Sequence, residues 1–180
     1  MIRLRDFLEK DLAAYERWLQ PGQEWQRWDA PYLGAPKPES VREHIASVRE
    51  GIVTGAWEEP RWRVVIADED TDRLLGCVAR YWISEESSWP AVGIDLYDPA
   101  SWGRGIGTEA LRRWCTHLFE ALPDIERLDM RTWSGNERMM RLAERLGFKL
   151  EARFRNARRV DGELYDGLAY GVLRSEWPSS

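Results

Sequence analysis

Three glycines at alternate positions, Gly103, Gly105 and Gly107, stand between an apolar run at 91–97 and an amphipathic run at 108–122. Glycine adopts positive φ and lets a ligand approach the backbone closely. A glycine-rich turn that feeds a helix start offers unpaired amides and the positive end of the helix dipole to an anion. The chemistry this points to is the binding of a diphosphate. The third glycine of a Gly-x-Gly-x-x-Gly dinucleotide turn would fall at Thr108, and no Gly-Lys-Ser/Thr follows. A Rossmann turn and a nucleoside-triphosphate P-loop are therefore both disfavoured. Taken alone, the triplet also describes a flexible strand-to-helix connector.

The turn needs elements to hold it. Residues 2–4 read as a short strand, and Asp11 as the cap of a helix over 12–20 that Pro21-Gly22 ends. The stretch 21–38 carries four prolines (Pro21, Pro31, Pro36 and Pro38) together with Trp25 and Trp28. That is loop composition, and long loops in small domains are often functional. The two tryptophans either line a pocket or staple the loop. Ser40-x-x-Glu43 reads as a capping box for a helix over 41–53, with Val41, Ile45 and Val48 on one face. Apolar runs at 61–67 and 74–83 flank a polar turn and predict a hairpin. A third strand at 91–97 enters the glycine turn. The helix over 108–122 carries a core-facing stripe of Leu111, Trp114, Leu118 and Leu122. A strand at 125–133 follows, with Leu128, Met130 and Thr132 on one face. Ser134-x-x-Glu137 reads as a capping box for a helix that Gly147 ends. Strands at 148–154 and 164–173 close the chain around an Asp161-Gly162 turn. No βαβ unit is expected at the glycine turn. The order predicts an α/β (α+β) fold: one domain over 1–180, a single mixed, mostly antiparallel sheet flanked by helices.

Composition narrows the function classes. A formal net charge of -5 argues against a nucleic-acid surface. Cys77 and Cys115 have no ligand-spaced neighbours, and His44 and His117 are the only histidines, so reduced thiols and no metal site are expected. The opening Met1-Ile2-Arg3-Leu4-Arg5-Asp6 is charged and lacks an apolar core, and no run is long enough to span a bilayer. A cytoplasmic protein without membrane contact is the expectation. Eleven tryptophans are compatible with a homodimer.

The stretch Asp-Pro-x-x-Trp-Gly-Arg-Gly-Ile-Gly-Thr-Glu-Ala-Leu at 98–111 closely resembles the acetyl-CoA pyrophosphate loop of the GNAT superfamily of N-acetyltransferases. That loop is usually written Gln/Arg-x-x-Gly-x-Gly/Ala. Gly105 and Gly107 match its glycines, while Trp102 stands where Gln or Arg is usual. Tryptophan there is common in a branch that acetylates ribosomal-protein N-termini and related amines. The segment Asn136 to Phe148 resembles the family's Asn-x-x-Ser/Ala and Gly-Phe segment, and the ends at 161–166 and 173–177 look like the same branch. The resemblance covers nearly the whole chain.

What the resemblance implies is acetyl transfer from acetyl-CoA to a primary amine. The acceptor would be a protein or peptide N-terminus, a polyamine or an aminoglycoside-like molecule. Amides from Arg104 through Gly105, Ile106 and Gly107 to Thr108 would hold the diphosphate, and main-chain groups of Leu96 and Tyr97 the pantetheine arm. Asn136 would meet the cofactor near that arm. The positions where relatives carry a tyrosine or serine proton donor hold Ala143 and Met139. Tyr81, Tyr97 and Tyr165 are alternative donors. Asp95, on the strand entering the turn, is the first candidate for the base, ahead of Glu85 and Glu86. The alternative is a non-catalytic acyl-CoA-binding or sensory domain.

Overall fold

The computed structural model describes residues 1–178. The chain runs β1 (Ile2–Arg5), α1 (Leu12–Leu19), α2 (Pro38–Thr54), β2 (Arg63–Asp68), β3 (Leu74–Ser84), β4 (Trp89–Leu96), α3 (Ile106–Ala121), β5 (Arg127–Trp133), α4 (Glu137–Arg145), β6 (Lys149–Val160) and β7 (Glu163–Leu173). The strands form one mixed sheet in the order β1-β2-β3-β4-β5-β7-β6. Every neighbouring pair is antiparallel except β4 and β5. Parallel neighbours need a crossover, and α3 provides it. The expectation that no βαβ unit meets the glycine turn is therefore corrected: β4-α3-β5 is one.

The apolar run in β2 shows how the sheet is covered. Successive side chains of a strand point to opposite faces. Val64 and Ile66 join a core with Leu111, Trp114, Leu118, Leu128 and Met130, under α3 and α4. Val65 and Ala67 join a second core with Phe7, Leu12, Tyr15, Val41, Ile45 and Tyr97, under α1 and α2. A strand buried on both faces reads as a continuous apolar run, not an alternating one.

Three helix starts differ from the sequence reading. α2 begins at Pro38, not after Ser40, because proline's fixed φ suits the first helical position and its missing N–H costs nothing there. α3 begins at Ile106 behind Gly105, two residues before the expected start. α4 is capped by Asn136, whose side chain accepts from the Met139 amide at 3.0 Å, and not by Ser134. Both cysteines are free and buried. Among the described residues, no helix is long and apolar enough to cross a membrane.

Candidate active site

The site begins where the sheet splits. β4 and β5 pair only at Ala91 with Asp129 and Val92 with Met130. Beyond those pairs the strands part, and a cavity of about 750 Å³ opens between them. Gly93, Ile94, Asp95 and Leu96 form one wall, and Arg131 and Thr132 the other. The Tyr97 amide donates to the Leu75 carbonyl on β3 at 3.0 Å. By strand alternation, the main-chain groups of Ile94 and Leu96 point the opposite way, into the split. The Leu96 carbonyl there accepts from the Trp102 indole at 2.8 Å. Of the two residues expected to meet a pantetheine arm, Leu96 faces the cavity with its backbone. Tyr97 spends its amide on β3 and buries its side chain.

The cavity passes through the sheet. On the α3/α4 side it is lined by Ile106, Met139 and Leu142, and on the α1/α2 side by Trp25, Trp28, Asp29 and Asp95. Two chemically different substrates could therefore meet in the split from opposite faces.

The glycine turn lies on the α3 side. Gly103 and Gly105 have φ of 73° and 82°, where a side chain is strained. Glu109 is the first residue of α3 whose amide bonds back, to Gly105. That leaves the amides of Ile106, Gly107 and Thr108 unpaired within the helix, at the positive end of its dipole. Gly105, Ile106, Gly107 and Thr108 all line the cavity, whereas Arg104 is exposed outside that wall. Besides Arg131 of β5, the cations that line it are Arg138, Arg141 and Arg145 of α4. Sequence reasoning missed them, although their spacing of three and four places them on one helix face.

Arg138 also bridges the two lips of the cavity. Its guanidinium carbon lies 4.5 Å from the Trp28 ring centroid and 4.3 Å from that of Trp102. The Trp28 carbonyl is held by the Asn136 side-chain amide at 2.5 Å and by the Trp133 indole at 3.1 Å. Asn136 thus caps α4 with its oxygen and anchors the 21–38 loop with its nitrogen. Asn136→Ala is expected to cost about 1 kcal/mol of stability in urea unfolding, through the lost cap. Asn136→Asp retains the cap oxygen but sets an oxygen against the Trp28 carbonyl, and is expected to cost no less. Parent-like stability of Asn136→Asp would show that the loop anchor carries no weight.

On the other side, a buried polar chain supports Asp95. An Arg63 guanidinium nitrogen lies 3.5 Å from the Asp95 carboxylate and donates to the Tyr15 hydroxyl at 3.2 Å. The Tyr15 hydroxyl lies 2.9 Å from His44 Nε2. Burial, then the nearby Arg63 charge, push the His44 pKa down, which favours its neutral ring. Burial pushes the Asp95 carboxyl up, and Arg63 opposes it. Asp29, on the 21–38 loop, is exposed and lines the cavity. Poor hydration, then the charge of Asp95, push its carboxyl up to about 7. Sequence reasoning missed Asp29, because nothing in a proline-rich loop says which residue turns inward.

The alternative proton donors lie elsewhere. Tyr97 is fully buried beneath Trp25, and Tyr165 packs on Trp133. Tyr81 is exposed on β3, and Glu85 and Glu86 sit in the exposed β3–β4 turn. None of these lines the cavity. Ala143 is the buried residue of α4, and Met139 contributes to the apolar wall.

Comparison with known proteins follows the same lines. A model of the acetyltransferase (GNAT) domain matches residues 2–149. A Bacillus subtilis protein named as a ribosomal N-acetyltransferase, YdaF, is 32% identical over 97 residues, 54% of this chain and 45% of its own. The chain thus spans under half the length of that relative. Two solved structures share the fold. An acetyltransferase of the GNAT family from Bacillus anthracis superposes with a TM-score of 0.76 at 16% identity, over 97% of this chain and 96% of its own. A spermidine N-acetyltransferase from Vibrio cholerae, solved with CoA and spermine, superposes with a TM-score of 0.72 at 18% identity, over 97% and 96%.

Proposed function

Because this chain belongs to the GNAT acetyltransferase family, we propose that it moves an acetyl group from acetyl-CoA to a primary amine, with Asp95 as a proton acceptor. The observation that carries this reading is the split between β4 and β5. It joins an anion-binding turn on one face of the sheet to a carboxylate-lined chamber on the other. The donors on the first face suit acetyl-CoA. Unpaired amides at 106–108 and three arginines fit a diphosphate, and the cleft-facing backbone of Ile94 and Leu96 fits an amide-bearing arm. When bound there, acetyl-CoA supplies a thioester as acetyl donor.

The chain's own residues do the rest. The Leu96 amide, pointing into the split, donates toward the carbonyl oxygen as charge builds on it. Asp95 takes a proton from the amine as the C–N bond forms, because the nitrogen turns positive on attack. Arg63 holds the Asp95 carboxylate in place. With Ala143 and Met139 where relatives carry donors, the leaving thiolate takes its proton from water. The free, buried thiols of Cys77 and Cys115 suit a reducing cytoplasm. Acceptors within the proposal are a protein or peptide N-terminus, a polyamine or an aminoglycoside-like amine.

The test is thermal stability with acetyl-CoA, CoA and NAD, followed by thiol release with a panel of amines and peptides. Acetyl-CoA at a hundred times its Kd is expected to add about 2.7 kcal/mol. Asp95→Asn is expected to lower kcat/KM about 100-fold while acetyl-CoA affinity is unchanged. Stabilisation by acetyl-CoA without thiol release from any amine would leave only the binding half of the proposal standing.

A further inference from the structure

We infer that Asp29 is the second carboxylate of the acceptor chamber, and that with Asp95 it receives the acceptor as a primary alkylammonium and takes its proton. This rests on the acetyl-transfer reading and deepens it.

Asp29 and Asp95 line one cavity from different elements, the 21–38 loop and the β4 wall of the split. Their circumstances differ. Asp95 has Arg63 at 3.5 Å, which favours its ionised form and fixes its position. The Asp29 carboxylate has no hydrogen bond or ion pair among the described residues. A carboxylate left unpaired and facing a second carboxylate is costly to ionise. A cation between the two removes that cost. Trp25 and Trp28 flank the same chamber and offer flat apolar faces to the alkyl part of the acceptor. The seat therefore fits a charged amine on a carbon chain, and fits an anion poorly.

The division of labour follows from the surroundings. Asp95, held by Arg63 at 3.5 Å, steadies the ammonium and takes the second proton as the C–N bond forms. Asp29 ionises near neutral pH and is the group with a proton affinity suited to accepting the first. The charged and titratable groups that face it are Asp95 from β4, Arg63 from β2, Tyr81 from β3, Arg131 from β5 and Glu24 from its own loop. Arg131 is already engaged with Asp129 at 3.1 Å. The step balances as follows. The ammonium gives one proton to the Asp29 carboxylate, the freed lone pair forms the new C–N bond at the acetyl carbon, and Asp95 takes the second N–H proton as that bond forms. The C–S bond breaks, and its electron pair leaves on sulfur. One ammonium and one thioester yield an amide, a thiol and one proton released to water.

The test uses the full chain with spermidine and with a tripeptide bearing a free N-terminus. Asp29→Asn is expected to lower kcat/KM about 100-fold on the better of the two. Its acetyl-CoA Kd, from calorimetry, is expected to match the parent. The parent's activity is expected to rise with pH through an acidic limb near 7, and that limb is expected to be lost or moved to lower pH in Asp29→Asn. Asp29→Glu is expected to restore part of both. An Asp29→Asn enzyme within threefold of the parent, with the limb unmoved, overturns this inference and leaves acetyl transfer intact. A parent that binds acetyl-CoA yet releases no thiol with either amine, with an aminoglycoside or with the wider panel overturns the functional reading, and the role of Asp29 with it.

Discussion

Gly105→Asp is expected to weaken acetyl-CoA binding by 100-fold or more, a loss of about 2.7 kcal/mol of binding energy, while the protein stays folded. Gly105 precedes α3 at a φ of 82°, so a side chain there costs about 1–2 kcal/mol of backbone strain. Nothing lies within 4 Å of the Cβ it would gain. The new carboxylate is therefore free to stand beside the unpaired amides at 106–108. It brings negative charge to the place where the diphosphate is expected. Part of the strain is offset, because a carboxylate at a helix N-terminus is favourable.

Gly107→Ala is the control. Gly107 has no positive φ. The added Cβ would meet Leu142, Leu96 and Ile94 at 3.6–3.7 Å, ordinary contact distances. Alanine there is expected to raise stability by about 0.5–1 kcal/mol through helix propensity, with acetyl-CoA affinity kept within about twofold. Calorimetry and thermal unfolding of both variants check the pair. Parent-like affinity in Gly105→Asp would remove the turn from the cofactor site.

The legible parts of this molecule were local. Alternate glycines between a strand and a helix mark the tight turn, and Gly103 and Gly105 take positive φ there ahead of α3. The apolar stripe of α3 and the order of the strands follow from periodicity. What stayed hidden depended on partners distant in sequence. The capping-box pattern marks Ser134, not Asn136, as the cap of α4. Asn136 serves because its amide nitrogen also reaches the Trp28 carbonyl, more than a hundred residues away. Asp29 carries no pattern of its own. It becomes a candidate only once the 21–38 loop lies against the split and sets it near Asp95. The tryptophans of that loop turn out to serve both roles that sequence left open: Trp25 and Trp28 line the cavity, and Trp28 also fastens the loop. The glycine turn needs a basic complement, and the nearest arginine in sequence, Arg104, is outside the cavity wall. α4, packed beside α3, supplies three instead.

Arg63→Met is expected to destabilise the protein by about 2–3 kcal/mol at pH 8 and by clearly less at pH 5. Removing one partner of a buried ion pair leaves the other charge uncompensated, a loss of about 3–5 kcal/mol when burial is complete. The Arg63 and Asp95 side chains are still 21% and 17% exposed, which lowers that figure. Without Arg63, burial alone acts on Asp95 and raises its folded-state pKa further above the unfolded value. The folded protein then binds more protons than the unfolded chain between those two values. Stability must fall as pH rises through that window, so the defect is largest at high pH. His44 works in the same direction. In the parent, its lowered pKa means that stability present above the unfolded value is lost as pH falls. Arg63 is one cause of that lowering, so the variant loses less at acid pH. Arg63→Met combined with Asp95→Asn is expected to recover most of the loss at pH 8, because the carboxylate that Arg63 pairs with is gone. Urea unfolding of the parent, both single variants and the double variant at the two pH values completes the cycle. Arg63 also lies over the Trp62 ring at 5.2 Å. A defect equal at both pH values, and undiminished in the double variant, would assign the loss to that lost packing and not to the charge of Asp95.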